Sequence, residues 1–122
     1  MNYFKNRINA FGFAFSGIWH SFKSEAHIKI LFLASIAVIA TGLYFKVTKL
    51  EWMVLLICCG FVISLELVNS AIEKLCDAFT TDNNATVKYV KDVMAGAVLV
   101  TSITALIIGI LIFYPYLKQF LN

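Results

Sequence analysis

Charge is scarce in this chain. Only 14% of its 122 residues are Asp, Glu, Lys or Arg, against about a quarter in an ordinary soluble domain. A formal net charge of +3 with no dense basic run gives no case for a nucleic-acid partner. The glycines are scattered, and no G-x-x-x-x-G-K-[ST] is present, so a P-loop or protein-kinase type of nucleotide cradle is excluded. Three cysteines make no disulfide framework: Cys58 and Cys59 adjoin inside an apolar run and Cys76 stands alone among charged residues. They read as buried apolar thiols rather than metal ligands. Residues 1–23 carry polar side chains throughout and lack a continuous apolar core, so a cleavable signal is not expected.

What fills the space is apolar. The hydrophobic share is 61%, and the mean hydropathy is +0.84. One modest core cannot hide so much apolar surface, so the excess must face lipid. A secreted mini-protein, a disordered tail and an ordinary soluble enzyme are all ruled out. The expected fold is all-α, an integral membrane bundle with transmembrane helices over 28–45, 52–72 and 93–117. The third run, Val93 to Leu117, is 25 residues without a charge, beyond the roughly 20 that cross a bilayer. The second is long enough only if it takes in Glu66, and the first only if Lys29 snorkels to the interface.

Ahead of these spans, Phe4, Ile8, Phe11, Phe15, Ile18 and Phe22 recur at spacings of four and three. The pattern predicts an amphipathic interfacial helix over 1–24, its stripe meeting either the membrane surface or a partner helix. Seven Lys or Arg in 1–29 and 73–92 stand against three on the other side, Lys46, Lys49 and Lys118. That bias puts the N-terminus and a 74–90 connection in the cytoplasm, in a multi-pass protein of the inner cell membrane. Ala97, Thr101, Ala105 and Gly109 form a small-residue seam that predicts close helix approach, and three spans in a thin bundle suggest an oligomer.

The chemistry is concentrated at the end of the second span. At 100° per residue, Glu66, Asn69, Ser70, Glu73 and Asp77 share an arc of about 100°. An ionisable residue inside a span costs at least a few kcal/mol, which makes Glu66 a functional candidate. Glu25 and the Lys91-Asp92 pair reach the same level from the neighbouring spans. A carboxylate can take the proton of an attacking hydroxyl, two others can hold Mg²⁺ against phosphates, and a lysine can neutralise phosphate charge. The set suits phosphoryl transfer, but spacing alone leaves a proton-coupled transporter or channel subunit nearly as good a reading. An assembly protein whose polar face specifies packing is a third.

The run Glu66-x-x-Asn69-Ser70-Ala71-Ile72-Glu73, then Asp77, Lys91-Asp92 and Ala95-Gly96-Ala97-Val98, with Ser24-Glu25 before the first span, resembles the prokaryotic integral-membrane diacylglycerol kinases and their undecaprenol-kinase relatives. The resemblance covers nearly the whole chain. It implies a homotrimer with active sites shared between subunits, ATP as co-substrate and Mg²⁺ as cofactor. Glu66 would be the catalytic base and Asn69 would orient the reacting groups. Glu25 and Glu73 would bind ATP through the metal they ligate, and Asp82, Lys91 and Asp92 would contact the nucleotide. The family's histidine after Asp82 is replaced by Asn83-Asn84, and Arg7 sits one position out of register with the family's arginine. Asn84-Ala85-Thr86 reads as a chance sequon. In the undecaprenol branch the glutamate before the first span is often followed by an Arg-Ile-His run. Here Lys29 stands at the arginine position and Leu31 where the histidine would be, and His27 reads as an interfacial residue. Diacylglycerol is therefore the first expected acceptor, giving phosphatidic acid, and undecaprenol the second.

Overall fold

A computed structural model describes residues 2–80 and 82–122. Four helices follow one another: α1 (Asn2–Ser24), α2 (Ala26–Phe45), α3 (Lys49–Phe79) and α4 (Ala85–Leu121). The last three are each long and apolar enough to cross a membrane. The central helix is α3, against which α1, α2 and α4 all pack.

Local chemistry sets the boundaries. Glu25, with φ −116° and ψ 117°, is the single non-helical residue between α1 and α2. Lys46 takes the left-handed conformation at the end of α2, and the Val47 amide returns to the Gly42 carbonyl, which stops the helix. Thr48 and Glu51 then form a reciprocal capping box that starts α3. Asn84 caps α4, its Oδ1 accepting from the Thr86 and Val87 amides. The sequon asparagine thus has a structural role.

The 31 residues of α3 extend about 46 Å and the 37 of α4 about 55 Å, both well beyond the ~30 Å of hydrocarbon. Their polar ends therefore project out of the apolar layer. The stretch 74–90 consists mostly of these projecting ends, leaving only residues 80–84 between the helices.

Within one chain little is buried. Ile28, Val47, Leu55, Val62 and Cys76 are the buried apolar side chains, while Ile57, Leu106 and Leu111 are among many left exposed. Cys58 and Cys59 are only half-buried, contrary to their reading as buried thiols, because they line a groove rather than a core. That groove, of about 600 Å³, runs between α2, α3 and α4 and includes Leu31, Val38, Ala105 and Gly109. Of the small-residue seam, Ala105 and Gly109 line it, whereas Ala97 and Thr101 do not. A Cβ added at Gly109 would meet nothing within 4 Å, so this position keeps open space within the single chain.

Close approach occurs at Gly42 instead, where an added Cβ would lie 2.8 Å from Cη2 of Trp52. Gly42→Val is expected to push the indole out and cost about 1–3 kcal/mol, read as a lowered thermal midpoint in detergent. Retention of the wild-type midpoint would show that Trp52 swings aside freely. At the same end of the bundle, Phe45 packs on Tyr116 with centroids 5.8 Å apart, and the Tyr116 hydroxyl donates to Glu51 Oε1 at 2.5 Å. These contacts tie α2, α3 and α4 together at the end opposite residues 80–84.

Candidate functional site

The face that α3 turns toward its neighbours changes character along its length. It begins apolar, with Leu55 and Val62, and continues one turn later as Glu66, Asn69 and Ser70. These three polar residues keep only 7%, 8% and 5% of their surface. Burial of an ionisable side chain is costly without compensation. Among the described residues, however, no Lys, Arg or His lies within ion-pair distance of Glu66. Asn69 Oδ1 is buried without a hydrogen-bond partner. An orphan acceptor of this kind forfeits about 1–3 kcal/mol and marks a place where something else donates.

Glu73, two turns further on, is exposed. Glu25 is half-buried at the α1–α2 joint. Among the described residues, no group of three or more His, Cys, Asp or Glu side chains comes together to hold a metal. Magnesium bound with a nucleotide does not need such a cage, since it keeps waters and takes one or two carboxylates plus phosphate oxygens. The hard oxygen donors of Glu25 and Glu73 fit that mode.

A second cluster lies where α3 hands over to α4. A pocket of about 730 Å³ is lined by Asp77, Asp82, Asn84, Lys88, Lys91 and Asp92, among others. It brings together three of the residues that the sequence assigned to the nucleotide, Asp82, Lys91 and Asp92. Glu25, Glu66, Asn69 and Glu73 do not line it. Lys91 Nζ donates to Asp77 Oδ1 at 2.7 Å across the two helices. Lys91 stands two residues ahead of the apolar run, and the Asp77 carboxylate holds its ammonium above the usual lysine range. Lys88 pairs with Asp92 at 2.5 Å along α4.

Sequence reasoning placed Asp77 on the polar arc without a role, and it passed over Lys88. The i, i+4 spacing of Lys88 and Asp92 was a usable signal. The Asp77–Lys91 pair left none, because it depends on how residues 80–84 return the chain.

A family model, prokaryotic diacylglycerol kinase, matches residues 12–113, which include every site residue named above. The chain belongs to the prokaryotic diacylglycerol kinase family. It is similar to the undecaprenol kinase of Bacillus subtilis, with 36% identity over 117 residues covering 93% of this chain and 95% of that one. It is also similar to a diacylglycerol kinase of Synechocystis sp., 30% identical over 105 residues, 85% of this chain and 60% of that protein. A diacylglycerol kinase of Pseudomonas aeruginosa is 29% identical over 93 residues, 76% of each chain. This kinase is therefore a membrane enzyme acting on a lipid with a nucleotide as co-substrate, which replaces the transporter and assembly readings.

Proposed function

We propose that the kinase moves the γ-phosphoryl group of MgATP to the hydroxyl of a membrane lipid alcohol. The observation that carries this reading is the buried Glu66–Asn69–Ser70 stripe on the same helix that supplies Asp77 to the Lys91 pocket. One helix thereby links a nearly dry carboxylate, suited to a hydroxyl arriving from the bilayer, with a charged pocket suited to a soluble nucleotide.

In this reading the Glu66 carboxylate takes the proton as the lipid oxygen bonds to the γ-phosphorus. The bond from that phosphorus to the bridging oxygen breaks, and ADP leaves. Asn69 orients the reacting hydroxyl, its Nδ2–H group donating to the hydroxyl oxygen while the proton goes to Glu66. Asp82, Lys91 and Asp92 hold the nucleotide. Glu25 and Glu73 would hold Mg²⁺, which when bound screens phosphate charge. The kinase works as a homotrimer with its N-terminus and active sites on the cytoplasmic side of the inner membrane. Helix α1 lies in the interface there, its Phe4, Phe11 and Phe15 exposed in the single chain.

The acceptor is where the relatives bear most. Sequence features after Glu25 put diacylglycerol first. The Bacillus undecaprenol kinase matches over 95% of its length, against 60% for the Synechocystis diacylglycerol kinase, and this favours undecaprenol. We take undecaprenol as the acceptor and diacylglycerol as the second reading. Purified protein in lipid, given γ-labelled ATP and both alcohols in separate and competing assays, is expected to label the polyprenol with the higher kcat/KM. Preferential labelling of diacylglycerol reverses the order, and labelling of neither overturns the kinase chemistry assigned to this site.

A further inference from the structure

The nucleotide pocket contains three carboxylates, Asp77, Asp82 and Asp92, against two ammonium groups, Lys88 and Lys91. Its own charge is thus negative overall, and its field alone does not draw in a polyphosphate. Attraction has to come from a cation held in the right place. Lys88 is a poor candidate, since its side chain is 78% exposed and it pairs along its own helix. Lys91 is the less exposed of the two, at 38%, and its partner belongs to a different helix. A lysine has four rotatable side-chain bonds, and fixing it on binding costs up to about 2 kcal/mol of rotamer entropy. An ammonium also has three donors, so an ion pair with one carboxylate oxygen leaves two for phosphate.

We propose that Asp77 is a positioning residue for the nucleotide. It anchors the Lys91 ammonium across the α3–α4 gap, so that the lysine is already in place when the phosphates arrive. Asp77 needs no contact with the nucleotide for this. The cross-helix distance of 2.7 Å, the membership of both residues in one pocket and the partial burial of Lys91 all fit the role. So does the upward displacement of its titration. Preorganisation of this kind raises affinity by removing an ordering cost rather than by adding a contact. The inference rests on the proposed MgATP reading.

The test uses the full-length protein in lipid, with Asp77→Ala, Asp77→Asn and Asp77→Glu. Nucleotide affinity is measured by equilibrium binding of ATP with magnesium and by KM. The rate of Lys91 acetylation is followed by mass spectrometry. Removing the charge-assisted bond in the Ala and Asn variants is expected to weaken nucleotide binding about tenfold. Turnover at saturating nucleotide and KM for the lipid should stay within about twofold, and Asp77→Glu should recover most of the loss. Lys91 should be acetylated faster in the Ala and Asn variants even without nucleotide, because a freed amine gives up its proton more readily.

Unchanged or tighter nucleotide binding overturns the role, as does a loss confined to turnover or a Glu variant no better than Ala. Equal acetylation of Lys91 in wild type and variants overturns the pairing itself, whatever the nucleotide does. Failure of the wild-type protein to bind nucleotide, with Lys91 still protected by Asp77, instead counts against the MgATP reading.

Discussion

Glu66→Gln is expected to remove nearly all phosphoryl transfer while leaving a folded, assembled protein. The amide has the same shape as the carboxylate and fills the same nearly closed space, where Glu66 keeps only 7% of its surface. It cannot accept the proton of the attacking hydroxyl, and loss of a positioned base lowers rates by about 10² to 10⁴-fold. The environment sharpens the expectation. No basic side chain among the described residues neutralises Glu66, so its replacement by a neutral group breaks no ion pair. Stability should therefore hold or improve slightly, because desolvating a charge costs more than desolvating an amide. The decisive comparison sets the initial rate, at saturating ATP and lipid, beside the thermal midpoint and oligomer size of the same preparation. A well-folded variant that turns over near the wild-type rate removes Glu66 from the role of base. An inactive variant that has lost its assembly assigns Glu66 to packing instead.

The last span was legible because lipid imposes a simple rule, that an uncharged run longer than about 20 residues crosses as a helix. The first two needed Lys29 at the interface and Glu66 within the span, respectively. The sequence was less informative about where those helices stop. Lys74, Lys88 and Lys91 suggested that the chain had left the membrane and become a connection. The helices continue beyond it to Phe79 and start again at Ala85, since leaving the bilayer does not oblige a helix to end.

The polar arc was legible for the same geometric reason. Spacing of 100° puts Glu66, Asn69 and Ser70 on one face, and that face is buried. Glu73 and Asp77 share the arc but not the burial, because burial depends on which neighbours still flank α3 at that height. The Asp77–Lys91 and Glu51–Tyr116 contacts link residues 14 and 65 positions apart. Such pairs follow from packing and have no local signature. Small residues permit close approach but do not by themselves produce it: Gly42 lies against Trp52, while Gly109 borders a groove.

Magnesium titration is expected to separate the metal ligands from the base. Glu25 sits at the joint between α1 and α2, and Glu73 near the end of α3, so the two carboxylates come from different elements. Neither belongs to a ready-made cluster of three acidic or cysteine or histidine ligands among the described residues. On the proposed reading the metal is shared with the phosphates and waters, so each carboxylate would carry a large part of the protein's hold on it. Replacing either one by Gln removes a charged oxygen and leaves a weaker neutral one. The magnesium concentration for half-maximal rate should accordingly rise in Glu25→Gln and in Glu73→Gln, about tenfold or more. Excess magnesium should restore part of the activity. Glu66→Gln belongs to the other class: a lost base leaves the bound complex intact but slow, so its rate falls with no movement of the midpoint. The three curves together give a pattern that a general loss of folding does not reproduce. If the Glu25 and Glu73 midpoints stay at the wild-type value and no excess of magnesium helps, these carboxylates are not ligands. They then serve as charges that fix the joint and the end of α3, and their loss should appear in the thermal midpoint instead.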